Sequence, residues 1–202
     1  MLKLHHAPNS RAGRIVWLLE ELGLPYELNA MRFHPEDLKS DAHRARHPLG
    51  RVPVLEDGDI TLWESGAIVE YLIERHSDGA LKPSKDSAEY PAYLQWLHYC
   101  EGMVMPPVNT IVVQTLLLPP ERQNAEALGQ AQKLLTRALA PVDERLANVD
   151  YFAGSFSGAD IMLGHAVFMS NRLGCVPDDY ANLKAYIARL EARPAFIKGI
   201  ET

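Results

Sequence analysis

Two short stretches of this chain carry residue types whose spacing suits ligand binding. They are Gly50-Arg51-Val52-Pro53-Val54-Leu55 and Trp63-Glu64-Ser65-Gly66-Ala67-Ile68. Proline has no backbone donor and is pushed to strand edges or first positions, so Pro53 is expected to start a strand. The N–H and C=O of Val52 would then lack a ladder partner and stand open to an extended peptide. Ser65 falls where a helix opens, its hydroxyl beside the unpaired amides of a first turn, which suits a carboxylate. A peptide-shaped ligand with a terminal carboxylate satisfies both halves.

Those stretches must be held by the elements around them. Lys3–His6 reads as a first strand, ended by Ala7-Pro8-Asn9-Ser10. Ile15, Leu18, Leu19 and Leu22 follow helical spacing, predicting a helix over 12–22 that Gly23 stops. Tyr26–Asn29 reads as a second strand, parallel to the first through a right-handed crossover. The polar segment 31–47 predicts a short or irregular helix. Strands over 52–56 and 60–63, joined at Asp57-Gly58, and a helix from Ser65 to about His76 complete a β-α-β-α-β-β-α order, that of a thioredoxin-like domain. After a turn-rich connector, Ser77 to Lys85, only helices are expected. One runs over 90–100 and is kinked or broken by Pro106-Pro107. Another has its buried stripe at Leu128, Ala131, Leu134, Leu135, Leu139, Val142 and Leu146 and bends near Pro141. Ser157-Gly158-Ala159-Asp160 spells a capping box, a folding signal. Leu183, Tyr186, Ile187 and Leu190 mark the last clear helix, closed by Arg193-Pro194.

Composition narrows the classes. A chain of 202 residues with 47% hydrophobic and 23% charged residues suits one large or two modest globular domains. A net charge of −6 argues against nucleic-acid binding. No apolar run reaches the roughly 18 residues of a membrane span, and the N-terminus lacks a signal-peptide core; a cytoplasmic protein is expected. Cys100 and Cys175 form no C-x-x-C pair, and the eight histidines form no H-E-x-x-H spacing, so no metal is expected.

In their order and spacing the motifs resemble the cytosolic glutathione S-transferase family, bacterial in type, with a serine-type active-site loop. The likeness covers essentially the whole chain. It is carried by Ser10-Arg11-Ala12-Gly13-Arg14, Trp17-Leu18-Leu19-Glu20-Glu21-Leu22-Gly23-Leu24-Pro25-Tyr26-Glu27, Pro48-Leu49-Gly50-Arg51-Val52-Pro53-Val54-Leu55, Glu64-Ser65-Gly66-Ala67-Ile68, Tyr71-Leu72, Ser157-Gly158-Ala159-Asp160-Ile161 and Arg193-Pro194-Ala195-Phe196. The resemblance implies an α/β thioredoxin-like glutathione-binding domain over 1–78. A linker over 79–88 and an all-helical domain over 89–202, contributing the electrophile pocket, would follow. It also implies a homodimer.

For the site, the resemblance implies a cis Pro53, with Val52 pairing its backbone to the cysteinyl unit of glutathione. Ser65 would bind the γ-glutamyl carboxylate and Glu64 the ammonium. Arg51 would contact the tripeptide or cover the pocket. A cation from 32–46, Lys39 with His34 and His43 as alternatives, would meet the glycyl carboxylate. The thiol of glutathione is mostly protonated near neutral pH, so a donor to sulfur is needed. Ser10 is the implied donor, Asn9 the rival, and Arg11 would act by charge; Ser10 as a mere helix cap is the structural alternative. No tyrosine or cysteine precedes Tyr26 to take that role.

The reaction implied is attack of the glutathione thiolate on a small hydrophobic electrophile. Glutathione-dependent reduction of disulfides or peroxides and a non-catalytic binding protein are the alternatives. Isomerisation of a maleyl compound is disfavoured, because Asn9-Ser10-Arg11-Ala12 departs from the Ser-Ser-x-Ser of such members.

Overall fold

Alternation along Leu2-Lys3-Leu4-His5-His6 sends Leu2, Leu4 and His6 to one face of a sheet and Lys3 and His5 to the other. This is β1 (Leu2–His6) in the computed structural model, which describes residues 1–202. The chain divides into two units, Met1–Lys82 with Glu191–Thr202, and Pro83–Leu190.

In the first unit β1 runs on into α1 (Ala12–Glu21) and returns as β2 (Tyr26–Ala30), parallel to β1. Two single-turn helices follow, α2 (Pro35–Leu38) and α3 (Asp41–Arg44), where one short or irregular helix was expected. Each is capped from its own sequence. His34 accepts from the Glu36 amide and Ser40 from the His43 amide. Then come β3 (Val54–Asp57), β4 (Ile60–Trp63) and α4 (Ser65–His76). The sheet order is β2-β1-β3-β4, with β3 antiparallel to both neighbours and Leu4 opposite Leu28 and Leu55. This is the expected thioredoxin-like arrangement, with one difference at the approach to β3. β3 starts at Val54, not at Val52, and its ladder with β1 ends at His5↔Val54.

The second unit is helical. Pro106-Pro107 does not break the chain's first long helix. α5 (Tyr90–Tyr99) passes through a π-helical segment, Cys100–Val104, into α6 (Met105–Val112). The wider turn restarts the register so that both prolines fall in a first turn, where a missing N–H costs no bond. A second π segment (Val113–Leu117) and a 3-10 turn (Pro120–Arg122) lead to α7 (Ala125–Leu146). Ala131, Leu135, Leu139, Val142 and Leu146 are buried as expected, but Leu134 is 56% exposed. It stands one residue, about 100°, off the stripe that Leu135 leads. α8 (Gly158–Arg172) is buried along most of its length, and α9 (Ala181–Glu191) buries Leu183, Tyr186, Ile187 and Leu190.

Arg193-Pro194 does not close the fold. Pro194 opens a further helix, α10 (Pro194–Glu201), from its first position. A helical domain over 89–202 is expected, but α10 packs on α1 in the first unit. The Gly199 site carries no side chain because a Cβ there would meet the Gly13 carbonyl oxygen at 2.7 Å. Phe196 meets the Trp17 ring edge-on at 4.7 Å between centroids. Arg193 donates from Nε and Nη2 to the two oxygens of Glu21 at 2.7 and 2.8 Å, and Trp17 Nε1 donates to the same carboxylate at 2.9 Å.

The capping box of α8 is formed, with Asp160 fully buried at its centre. Its carboxylate accepts from the Phe152 and Ser157 amides and from the Ser157 and Tyr186 hydroxyls, at 3.0–3.2 Å. Burial raises its pKa to about 6, against those four donors. Asp160→Ala strands the amides and the tyrosine hydroxyl and should cost about 3 kcal/mol or more, read as a lower thermal midpoint. A raised carboxyl pKa means that the folded chain binds the extra proton. Its favourable contribution is therefore complete near pH 4 and is lost as pH rises to about 6. Wild type should lose stability relative to Asp160→Asn across that window and hold level above it, as thermal melts against pH will show.

Candidate functional site

The candidate residues of the first unit sit on three junctions. The first is the β1–α1 turn. Asn9 takes φ +55, the left-handed region that Asn tolerates better than most residues, and is exposed. Ser10 is half-buried. Its hydroxyl donates to the Ala7 carbonyl at 2.6 Å and accepts from the Ala12 amide at 3.2 Å. The Gly13 amide closes the turn on the Ser10 carbonyl at 3.2 Å. Ser10 thus shapes the entry to α1, and rotating its O–H away from Ala7 would aim the proton elsewhere without moving the oxygen. Arg11 directly precedes α1 and is half-buried.

The second junction is the approach to β3. The Val52-Pro53 peptide is cis. Val52 is half-buried and Pro53 buried. The N–H and C=O of Val52 belong to no ladder pair with β1 or β4. Arg51 is exposed, and its carbonyl is held by His43 Nε2 at 2.8 Å. Lys39 Nζ donates to the Leu49 and Gly50 carbonyls, the latter at 2.9 Å.

The third is the β4–α4 junction. Glu64 adopts φ +76, an uncommon region for a residue with a side chain, and points to solvent. Its backbone turn brings Ser65 to the first position of α4, where Ser65 is 3% exposed. His47 packs its ring 5.0 Å from that of Trp63. Burial lowers the His47 pKa, against the pull of the Glu64 carboxylate.

Arg14 links the first junction to the third. It is 0% exposed, and its Nη1 donates to Ser65 Oγ at 3.0 Å. A guanidinium only donates, so Ser65 Oγ is the acceptor and its own proton is free to serve another group. A buried cation, a freed hydroxyl and the open amides of a first helical turn converge there. Their positive potential suits a carboxylate. The sequence motifs assign Arg14 no role of its own. Its signal was an arginine on the helical stripe that Trp17 and Leu18 continue at i+3 and i+4. A charge on a buried stripe needs a partner from another element.

The chain's two ends of sequence match separate models of one family. Residues 1–74 match the glutathione S-transferase N-terminal domain, and residues 104–194 match the C-terminal domain. The chain belongs to the glutathione S-transferase family. It is 31% identical to glutathione S-transferase 3 of Schizosaccharomyces pombe, over 96% of this chain and 85% of that protein. The theta class glutathione S-transferase of Xanthomonas axonopodis pv. citri, solved with glutathione bound, matches with TM-score 0.87 and 28% identity over 100% of this chain and 97% of that one. A glutathione transferase of Pseudomonas putida, solved with one glutathione disulfide per subunit, matches with TM-score 0.88 and 25% identity over 99% and 90%.

If Arg14 orients Ser65 toward a ligand carboxylate, Arg14→Met should weaken glutathione binding by about tenfold to a hundredfold, the range of a charged hydrogen bond. Adding Ser65→Ala should cost little more, because both changes remove one interaction. Calorimetric titration of the two single variants and the double variant will check this.

Proposed function

We propose that this glutathione S-transferase transfers an alkyl or aryl group from a small hydrophobic electrophile to the sulfur of glutathione. The observation that carries the reading is the presence, in one unit, of a backbone edge at Val52 outside the ladder and an anion cradle at Ser65 backed by Arg14. A tripeptide with a free α-carboxylate needs both. In this reading the cysteinyl unit pairs with Val52 after cis-Pro53 in the manner of an added strand. The γ-glutamyl carboxylate takes the Ser65 hydroxyl and amide, and Glu64 accepts from the γ-glutamyl ammonium. Arg51 and Lys39 lie on the glycyl side.

The chemical step needs the thiolate. A free cysteine thiol titrates near 8.5, and a hydrogen bond to sulfur favours its ionised form. Ser10 supplies that bond by turning its O–H from the Ala7 carbonyl to the sulfur, with Asn9 the alternative donor and Arg11 adding positive potential. The thiol proton leaves to water. The sulfur lone pair then forms the S–C bond, and with an aryl halide the halide departs with the bonding electrons. The reading includes a symmetric dimer in the cytoplasm, as the family resemblance implies, and no metal.

Reduction of disulfides is the second reading, favoured by the glutathione disulfide bound in the Pseudomonas putida relative. It would run without a protein thiol. Cys100 is buried and donates to the Met162 carbonyl, and burial raises the Cys175 pKa.

The purified protein should conjugate glutathione to a general aryl halide faster than it reduces a mixed disulfide; the reverse ranking would select the second reading. Ser10→Ala should lower kcat by about a hundredfold to a thousandfold, the scale for loss of one anion-stabilising donor. Its glutathione Kd should stay within about twofold. Unchanged turnover would pass the role to Asn9.

A further inference from the structure

The three carbonyls that lead into Val52 are all held by side chains from the α2–α3 segment. Lys39 takes those of Leu49 and Gly50, and His43 takes that of Arg51 at 2.8 Å. The two tethers differ in kind. Lys39 is exposed, so water competes for its ammonium. His43 is 2% exposed, and its bond lies where an unmade carbonyl bond is costly. A carbonyl oxygen only accepts, so His43 Nε2 carries the proton. His43 Nδ1 is buried with no hydrogen-bond partner.

The ring that makes this bond is itself fixed to the sheet. It lies 6.0 Å from the His5 ring of β1. Asn29 of β2 meets His5 Nδ1 at 2.8 Å, and His5 Nε2 stands 3.4 Å from Glu56 of β3. Glu56 in turn accepts from Arg46 Nε at 2.7 Å, just past α3, and Arg46 Nη1 donates to the Ala42 carbonyl at 2.7 Å. The loop also presses directly on α2. Gly50 has φ +55, and a Cβ there would lie 2.1 Å from the Leu38 carbonyl oxygen. The sheet therefore meets the His43 imidazole through His5 of β1, which β2 and β3 flank in turn, and the ring's hydrogen-bond partner is the carbonyl preceding Val52.

We propose that His43 is a positioning residue for glutathione: it holds the Arg51 carbonyl so that the N–H and C=O of Val52 stand ready for an extended peptide. It touches neither sulfur nor electrophile. The proposal rests on the glutathione reading of Val52, and it assigns His43 a buried backbone tether in place of a contact with the glycyl carboxylate. Pre-set backbone donors spare the ligand the cost of ordering the loop, so losing the tether should weaken binding without slowing the chemical step.

The test compares His43→Leu with His43→Gln in the full chain, since the amide N–H of Gln can reach the position of Nε2. Three readouts apply: glutathione Kd by calorimetry, kcat at saturating glutathione, and hydrogen exchange of peptides covering 49–53. His43→Leu should raise Kd about tenfold, leave kcat within about twofold and speed exchange in 49–53 while β1 stays protected. His43→Gln should return Kd to within about threefold of wild type. Wild-type affinity in His43→Leu, or an equal loss in both variants, overturns the proposal, as does faster exchange throughout the unit. Should His43→Leu not fold, His43→Asn, whose amide is too short for the Arg51 carbonyl, replaces it under the same criteria. Absence of glutathione binding by wild type at millimolar concentration would overturn the glutathione reading. Unchanged loop exchange in His43→Leu would overturn the tether alone.

Discussion

The hydrogen bond from Arg14 to Ser65 is the contact on which the site depends. Arg14 is the third residue of α1 and Ser65 the first of α4. One 3.0 Å bond therefore sets the turn that carries Ser10 against the helix start that would take a carboxylate. A buried guanidinium is costly unless its donors are used. Using one on Ser65 gives the cation a buried partner and leaves the serine proton available to another group. The same bond joins two elements of the fold and, in the proposed reading, prepares Ser65 for a ligand carboxylate.

Around that contact the first unit supports its loops from two sides. On one face α1 is clamped by α10 through Glu21, Arg193 and Trp17, which keeps the helix carrying Arg14 from shifting. On the other face His5, Glu56 and Arg46 strap α3 to the sheet and bring His43 under Arg51. Backbone that must stay unpaired for a ligand cannot be held by a ladder. Side chains bonded to the neighbouring carbonyls hold it instead.

Much of this was legible in the sequence. Val-Pro before a strand and Ser65 at a helix start announce their places in the fold through chemistry that acts within a few residues. The same holds for the Ser157–Asp160 capping box. The rest depended on partners far apart in the chain. Arg14 finds Ser65 fifty-one positions later, and Glu21 finds Arg193 at 172. Neither pairing leaves a local pattern. Pro106-Pro107 reads as a break because propensity assumes one helical register, and the π segment before it changes that register. Leu134 reads as core because it is apolar and adjacent to a true stripe position, a distinction only packing resolves. The family resemblance offers Lys39, His34 and His43 as candidate contacts for the glycyl carboxylate. The carbonyl bonds of Lys39 and His43 to residues 49–51 follow from a loop path that spacing does not encode.

The most direct measurement is a crystal structure of the protein with glutathione. The arrangement predicts the γ-glutamyl carboxylate on Ser65 Oγ, with the Arg14 bond kept. It also predicts main-chain pairing between the cysteinyl unit and Val52, and the sulfur within hydrogen-bonding distance of Ser10 Oγ. A carboxylate bound away from Ser65, or a sulfur that meets neither Ser10 nor Asn9, would contradict it.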